Sequence, residues 1–286
     1  MRKTAAPGRG ESTIRVGVGG WTYEPWRGTF YPEGLARTRE LEFASRKLTS
    51  IEINATYYGP QKPATFAKWR DATPDDFVFS VKAPRFAVNR KDLRSAGAGI
   101  ARFLSGGVTE LGGKLGPINW QFLPTKKFEP EEFRAFLGLL PRQAGGLDLR
   151  HVVEVRHESF LSAEFVALLR EYRVAAAVAG DSKYPQIIDT TAPFVYARIM
   201  GTMETQKLGY SKAAQQLWAA RVKAWAAGET PSGLDCIAPL EAGKTPRDVF
   251  LYVIGGHKVS NPGAAMALIG QIASAGSSRS RTIRKV

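Results

Sequence analysis

Short runs of apolar and β-branched residues recur along the chain. Each is closed by a glycine, proline or polar break, and most are followed by a segment whose apolar positions have helical spacing. The runs are RVGVG (15–19), SIEIN (50–54), FVFSVK (77–82), PINWQF (117–122), HVVEVR (151–156), VAAAVA (174–179), FVYARI (194–199) and VFLYVIGG (249–256). The patterns between them predict helices over 36–48, 62–72, 96–110, 130–140, 160–172, 211–227 and 262–274. From Gly180 to Pro193 the residues are too few and too turn-rich for more than a vestigial helix. A strand followed by a helix, repeated along the chain, marks parallel βαβ units. Eight strands in a chain of this length predict the α/β class and a single TIM-type (β/α)8 barrel, with an irregular or missing helix after strand 6. Several strands are apolar on both faces, as strands enclosed between a barrel lumen and a ring of helices should be. No linker divides the chain, so the expected organisation is a disordered basic head over 1–13, one barrel domain over 14–276 and a disordered basic tail over 277–286.

Composition narrows the class. A hydrophobic content of 44% in 286 residues excludes a wholly disordered chain. No apolar run approaches the roughly 18 residues of a membrane helix, and MRKTAAPGRGEST lacks the apolar segment of a secretory signal. The expectation is a cytoplasmic protein without a membrane partner. Cys236 is the only cysteine, so it has no internal disulfide partner, and its apolar neighbours in DCIAPL suggest a core thiol. The net charge is +14. Much of the excess sits on Arg2, Lys3 and Arg9 in the head and on Arg279, Arg281, Arg284 and Lys285 in the tail. The moderately basic remainder points to an anionic small molecule or a nucleic acid as partner.

In a barrel, position converts into function, because the carboxyl ends of the strands carry the chemistry. Glu52 and Asn54 share one face of their strand by alternation. Glu154 and Arg156 do the same, with His157 at the strand end, giving three titratable groups suited to acid–base work. Lys82 and Arg85 flank a turn stiffened by Pro84 and face an anion by charge. Gln121, Asp181, Arg198 and His257 occupy the remaining strand ends. The loop GGWTYEPWRGTFYP leaves strand 1 with Trp21 and Tyr23, and Tyr57 follows strand 2. These aromatics suit stacking on a base or sugar, or else form a satellite cluster that holds a long loop down. The candidate catalytic residues are therefore Glu52, Glu154 and His157. The candidate ligand-binding residues are Trp21, Tyr23, Asn54, Tyr57, Lys82, Arg85, Gln121, Arg156, Asp181, Arg198 and His257. Against the catalytic roles stands a buried ion-pair network, in which Glu52 and Glu154 neutralise Lys82, Arg156 or charges on neighbouring strands. No HExxH, cysteine cluster, P-loop, dinucleotide fingerprint or G-x-S-x-G elbow is present. No cofactor or metal-ligand set is predicted, while a divalent metal held with a substrate phosphate stays compatible with these residues. His151 starts its strand and belongs on the opposite, stability face.

These motifs resemble a known family. GGWTYEPWRGTFYP, SIEINATYYGPQKPATFAKWRDATPDDFVFSVKAPR, KLGPINWQF and VVEVRHESF are similar to successive blocks of the YecE-like proteins, a domain of unknown function (number 72), over roughly Ile14 to Gly256. The resemblance implies a TIM-type barrel and no particular activity. This chain departs from it at Ala87-Val88-Asn89, where the family usually places a histidine after KAPR. It departs again at Arg198-Ile199-Met200-Gly201, in place of an RLHG-like run, and at Tyr252-Val253-Ile254-Gly255-Gly256, in place of YFNN. The functional expectation is an enzyme acting on a phosphate-bearing substrate, nucleotide or nucleic acid, at the C-terminal face of the barrel. The alternative is a non-catalytic binding protein for an anionic ligand or nucleic acid.

Overall fold

A computed structural model describes residues 12–239 and 244–274, so the expected tail and all of the head except Ser12 and Thr13 lie outside the described residues. Parallel strands close into a barrel: β1 (Ile14–Gly19), β2 (Ser50–Ile53), β3 (Val78–Lys82), β4 (Leu115–Gln121), β5 (His151–Glu154), β6 (Ala175–Gly180), β7 (Phe194–Ile199) and β8 (Asp248–Val253). Neighbours pair in chain order, and β8 closes on β1 through a ladder from Ile14–Val249 to Val18–Val253. Thr13 is already tied in, its backbone N–H donating to Asp248 Oδ1 at 2.9 Å.

Around the barrel lie α1 (Glu40–Ser45), α2 (Ala55–Tyr58), α3 (Pro63–Asp71), α4 (Arg85–Val88), α5 (Gly97–Ser105), α6 (Pro130–Gly138), α7 (Ala163–Tyr172), α8 (Lys212–Ala226) and α9 (Asn261–Ser274). Their starts follow local chemistry. Pro63 and Pro130 open α3 and α6, where a missing N–H costs nothing. The Ser162 and Ser211 hydroxyls accept the orphan N–H groups of Phe165 and Ala214. No helix forms between β6 and β7, as expected. The four-residue helices α2 and α4 have no sequence periodicity to betray them, being too short for one. A two-rung hairpin, Gln143–Ala144 against Leu147–Asp148, also goes beyond the expected elements. Gly145 and Gly146, at φ 55° and 75°, give its turn the left-handed conformations that glycine adopts freely.

Alternation along each strand separates two environments. One set of side chains, including Val18, Ile51, Val81, Trp120 and Leu251, packs outward against the helices. The other fills the lumen in three tiers. At the floor, Val78, Val152, Phe194 and Phe250 form a separate apolar cluster. Arg150 lies over Phe250 at 5.0 Å from the ring centroid and bonds Asp248 at 3.1 Å. In the middle tier the Tyr252 hydroxyl meets Ser50 at 2.7 Å and the Tyr196 hydroxyl meets Ser80 at 2.8 Å, with the two rings 5.1 Å apart. Charged and amide side chains occupy the upper tier. The lumen thus runs from apolar floor to ionic mouth, and Gly17 keeps it narrow: a Cβ there would stand 1.8 Å from the Ser50 carbonyl oxygen.

Candidate functional site at the mouth of the barrel

Arg198, on β7 and 3% exposed, is the centre of the upper tier. Its Nη1 donates to Glu154 Oε2 at 2.6 Å and its Nη2 to Glu52 Oε1 at 3.1 Å. Glu52 Oε2 accepts from the Tyr196 hydroxyl and, at 3.5 Å, from Asn119 Nδ2. Glu154 also accepts from Asn119 Nδ2 at 3.1 Å, Gln121 Nε2 at 2.6 Å and Arg156 Nη2 at 2.7 Å. Every oxygen of the two fully buried carboxylates therefore has a donor, which is what keeps buried charge tolerable. Burial alone would raise the Glu154 pKa, but Arg198, Arg156 and Lys82 outweigh it and hold the carboxyl at about 2. Burial likewise opposes the charge on Arg198, and Glu154 and Glu52 override it, so the guanidinium titrates above its ordinary range. The Tyr196 hydroxyl stays protonated, raised first by burial and then by the neighbouring Glu52 carboxylate.

Lys82 is the exception in this tier. It ends β3 on the inward face, and its Nζ sits 4.4 Å from the centroid of the Tyr57 ring. Among the described residues no hydrogen-bond acceptor engages that amine, whereas Lys114, Lys126 and Lys223 each have acceptors. Three cations, Lys82, Arg156 and Arg198, face two carboxylates, Glu52 and Glu154. Burial lowers the Lys82 pKa, Glu52 and Glu154 oppose the shift, and Arg198 and Arg156 add to it, leaving the amine at about 8. Three further polar atoms here are buried without partners: Arg198 Nε, Asn119 Oδ1, whose residue pairs directly with Lys82 across β3 and β4, and Asn54 Oδ1, just past the end of β2.

The structure therefore brings Glu52, Tyr57, Lys82, Gln121, Glu154, Arg156 and Arg198 together, with Asn54 at the upper edge. Arg156 reaches the rim, where its guanidinium lies 4.4 Å from the Tyr184 ring centroid. The other candidates stand elsewhere. His157 caps a short turn, its Nδ1 accepting the Ser159 N–H at 3.1 Å. His257 Nδ1 pairs with the Ser260 hydroxyl at 2.9 Å in the loop after β8. Asp181 has a positive φ of 52°, which swings it out of the lumen direction to accept the Trp218 indole N–H at 2.8 Å. Arg85 is exposed at the first position of α4. Trp21 packs on Trp69 at 5.2 Å and on Phe79, outside the barrel wall. Tyr23 packs on Trp26 at 5.7 Å. Trp26 and Tyr31 are buried, Trp26 Nε1 donates to the Lys258 carbonyl and the Tyr31 hydroxyl to the Trp21 carbonyl. Of the two readings of the aromatic loop, the packed cluster is the one these contacts describe. His151 lies below, between the Trp120 indole and the Pro141 carbonyl, as expected for the stability face. Among the described residues no three His, Cys, Asp or Glu side chains converge as a metal-donor set, and no helix is long and apolar enough to cross a membrane. Sequence reasoning passed over Asn119 and Tyr196. Alternation was the available signal, since they precede Gln121 and Arg198 by two positions on the same strand faces.

Two outcomes follow from this electrostatic arrangement. Glu154 titrates at about 2 in the fold against an ordinary 4.5, so its stabilisation is present above pH 4.5 and is lost as the pH falls toward 2. Glu154→Gln should cost about 3–5 kcal/mol in denaturant unfolding at pH 7, by leaving Arg198 and Arg156 short of a counter-charge, and should flatten the acid limb of stability against pH. Lys82 has the opposite effect at neutral pH. Its folded pKa of about 8 lies below the ordinary 10.5, so the fold bears the cost of a desolvated ammonium at pH 7, and stability rises as the pH climbs from 8 to 10.5. Lys82→Met should raise the unfolding free energy at pH 7 by about 1–3 kcal/mol and abolish that rise.

Comparison with known proteins agrees with the barrel. The chain is 30% identical over 149 residues to the UPF0759 protein YecE of Escherichia coli K12, a match covering 52% of this chain and 50% of that protein. The matched region thus spans about half the length of that relative. A DUF72 family protein of Thermotoga maritima superposes with a TM-score of 0.66 at 21% identity, over 93% of this chain and 99% of the other. One from Enterococcus faecalis superposes with a TM-score of 0.65 at 15% identity, over 92% and 94%. The pattern of the family described as "Protein of unknown function DUF72" matches residues 15–277, and the chain belongs to that family.

Proposed function

We propose that the chain is an enzyme that draws a small anionic substrate, a phosphate-bearing one foremost, into the mouth of the barrel and uses Lys82 to take up or release a proton. The observation that carries this reading is the Lys82 amine: half-buried, without an acceptor among the described residues, and in a tier where cations outnumber carboxylates. An anion seated beside it restores neutrality. A group titrating at about 8 also carries protons efficiently near neutral pH. Arg156, at the rim, holds Glu154 through Nε and Nη2 and lies against the Tyr184 ring, and its Nη1, with only a long 3.5 Å contact to the Tyr184 hydroxyl, makes it the second cation for the substrate. Glu52 and Glu154, with all their oxygens engaged, act as positioning residues that hold Arg198 and Arg156 rather than as the acid and base. Nucleotides and nucleic-acid ends supply the required phosphate. A binding protein without turnover would use the same cations and yield no product.

Sulfate, which does not titrate in this range, is a suitable stand-in for the phosphate group. Calorimetry at pH 8 in buffers of differing ionisation enthalpy should show saturable sulfate binding with uptake of up to about half a proton, because the anion raises the Lys82 pKa. Lys82→Met should remove the uptake. Binding with no proton uptake, or no binding of sulfate or a nucleoside monophosphate at millimolar concentration, would contradict the reading.

A further inference from the structure

A lysine amine is a nucleophile only when neutral, and acceptors that hold its protons favour the ammonium form. Lys114 donates to the Arg70 and Thr73 carbonyls, Lys126 to both oxygens of Glu132, and Lys223 to the Gln271 carbonyl. Lys82 is held by none of the described residues and lies at the inward end of a barrel strand with one side against the Tyr57 ring. Asn119, its direct neighbour on β4, presents a buried carbonyl oxygen with no partner, and Asn54 Oδ1 is a second such acceptor at the same end of the lumen. We infer that Lys82 is the nucleophile of an imine-forming site for a small aldehyde or ketone that carries an anionic group.

The inference rests on the reading of the mouth as an anion site and adds the reacting function of the substrate. The step is balanced without a co-reactant. The Nζ lone pair bonds to the carbonyl carbon, the C=O electron pair moves to oxygen, and the resulting carbinolamine loses water that carries both amine protons, leaving C=N. The unpartnered Asn119 and Asn54 oxygens are placed to accept the carbinolamine hydroxyl or a substrate hydroxyl. The groups facing the amine are Glu52, Tyr57, Glu154, Arg156 and Arg198, and together with burial they leave a substantial neutral fraction at pH 8 in the free site; a bound anion lowers that fraction, and the neutral amine is the form that reacts.

The test is reductive trapping on the intact chain at pH 8, with pyruvate or dihydroxyacetone phosphate, with and without sodium borohydride, followed by peptide mass spectrometry. The expected result is one borohydride-dependent adduct per chain, on Lys82, saturable and suppressed by sulfate. The two probes distinguish a carboxylate from a phosphate as the anionic group, and neutral dihydroxyacetone should label Lys82 about tenfold less. Lys82→Arg, which keeps the charge without a nucleophilic amine, should bind sulfate and form no adduct. Equal labelling of exposed Lys47 and Lys68, or an unlabelled Lys82, would overturn the inference. If Lys82 stays unlabelled while sulfate binding still draws in a proton through it, imine formation fails and the proton-transfer reading stands. If neither occurs, both fail.

Discussion

Arg198 lies between two carboxylates inside a closed barrel, and the rest of the mouth is arranged by the need to keep that charge paired. Its two terminal nitrogens are claimed by Glu154 and Glu52. Those carboxylates, once desolvated, require further donors, which Tyr196, Asn119, Gln121 and Arg156 supply from β7, β4 and the end of β5. Below them the hydroxyl tier of Ser50, Ser80, Tyr196 and Tyr252 grades the environment down to the apolar floor, so no bare charge meets hydrocarbon. A network of this kind specifies geometry more than it adds stability. It fixes strand ends on opposite sides of the lumen relative to one another, and the side chain it leaves uncompensated is Lys82.

The barrel itself was legible because each strand repeats the same period-2 logic and the intervening helices repeat theirs. Boundaries shifted where local chemistry intervened. The first helix is shorter than its pattern, with a single tight turn at Arg37–Arg39 preceding α1, and β5 ends at Glu154, two residues before the apolar run does. The site was legible in composition but not in roles. Alternation put Glu52 on one strand face with Asn54 and Glu154 with Arg156, yet a carboxylate that serves as a base and one that serves as a counter-ion have the same sequence. Burial and partner counts decide between those roles, and these arise from strands far apart in the chain. Asp181 and the two loop histidines illustrate a different limit. A positive φ or a hydroxyl two or three residues away redirects the side chain, and neither leaves a periodic trace.

The departures from the family pattern fit this picture. At the positions after KAPR, Ala87 and Val88 are fully buried in α4, where they pack into the shell around the barrel. Met200, at the RLHG-like run, lies against Gly255 in the loop after β8. No imidazole stands in either stretch, and the first also holds the exposed Asn89. Among the described residues this concentrates the titratable chemistry near neutral pH at the mouth on the lysine of β3.

The central claim is that Lys82 is an uncompensated amine rather than one more member of the ion-pair network. Its titration is directly measurable after reductive 13C-methylation, by following the dimethyl-lysine resonance assigned with Lys82→Met across pH 6–12. The account predicts a transition near 8 for this resonance, moving upward when sulfate is added. A transition at the ordinary value of about 10.4, unmoved by sulfate, would mean that Lys82 is solvated or paired and that the mouth of the barrel has no vacancy for an anion.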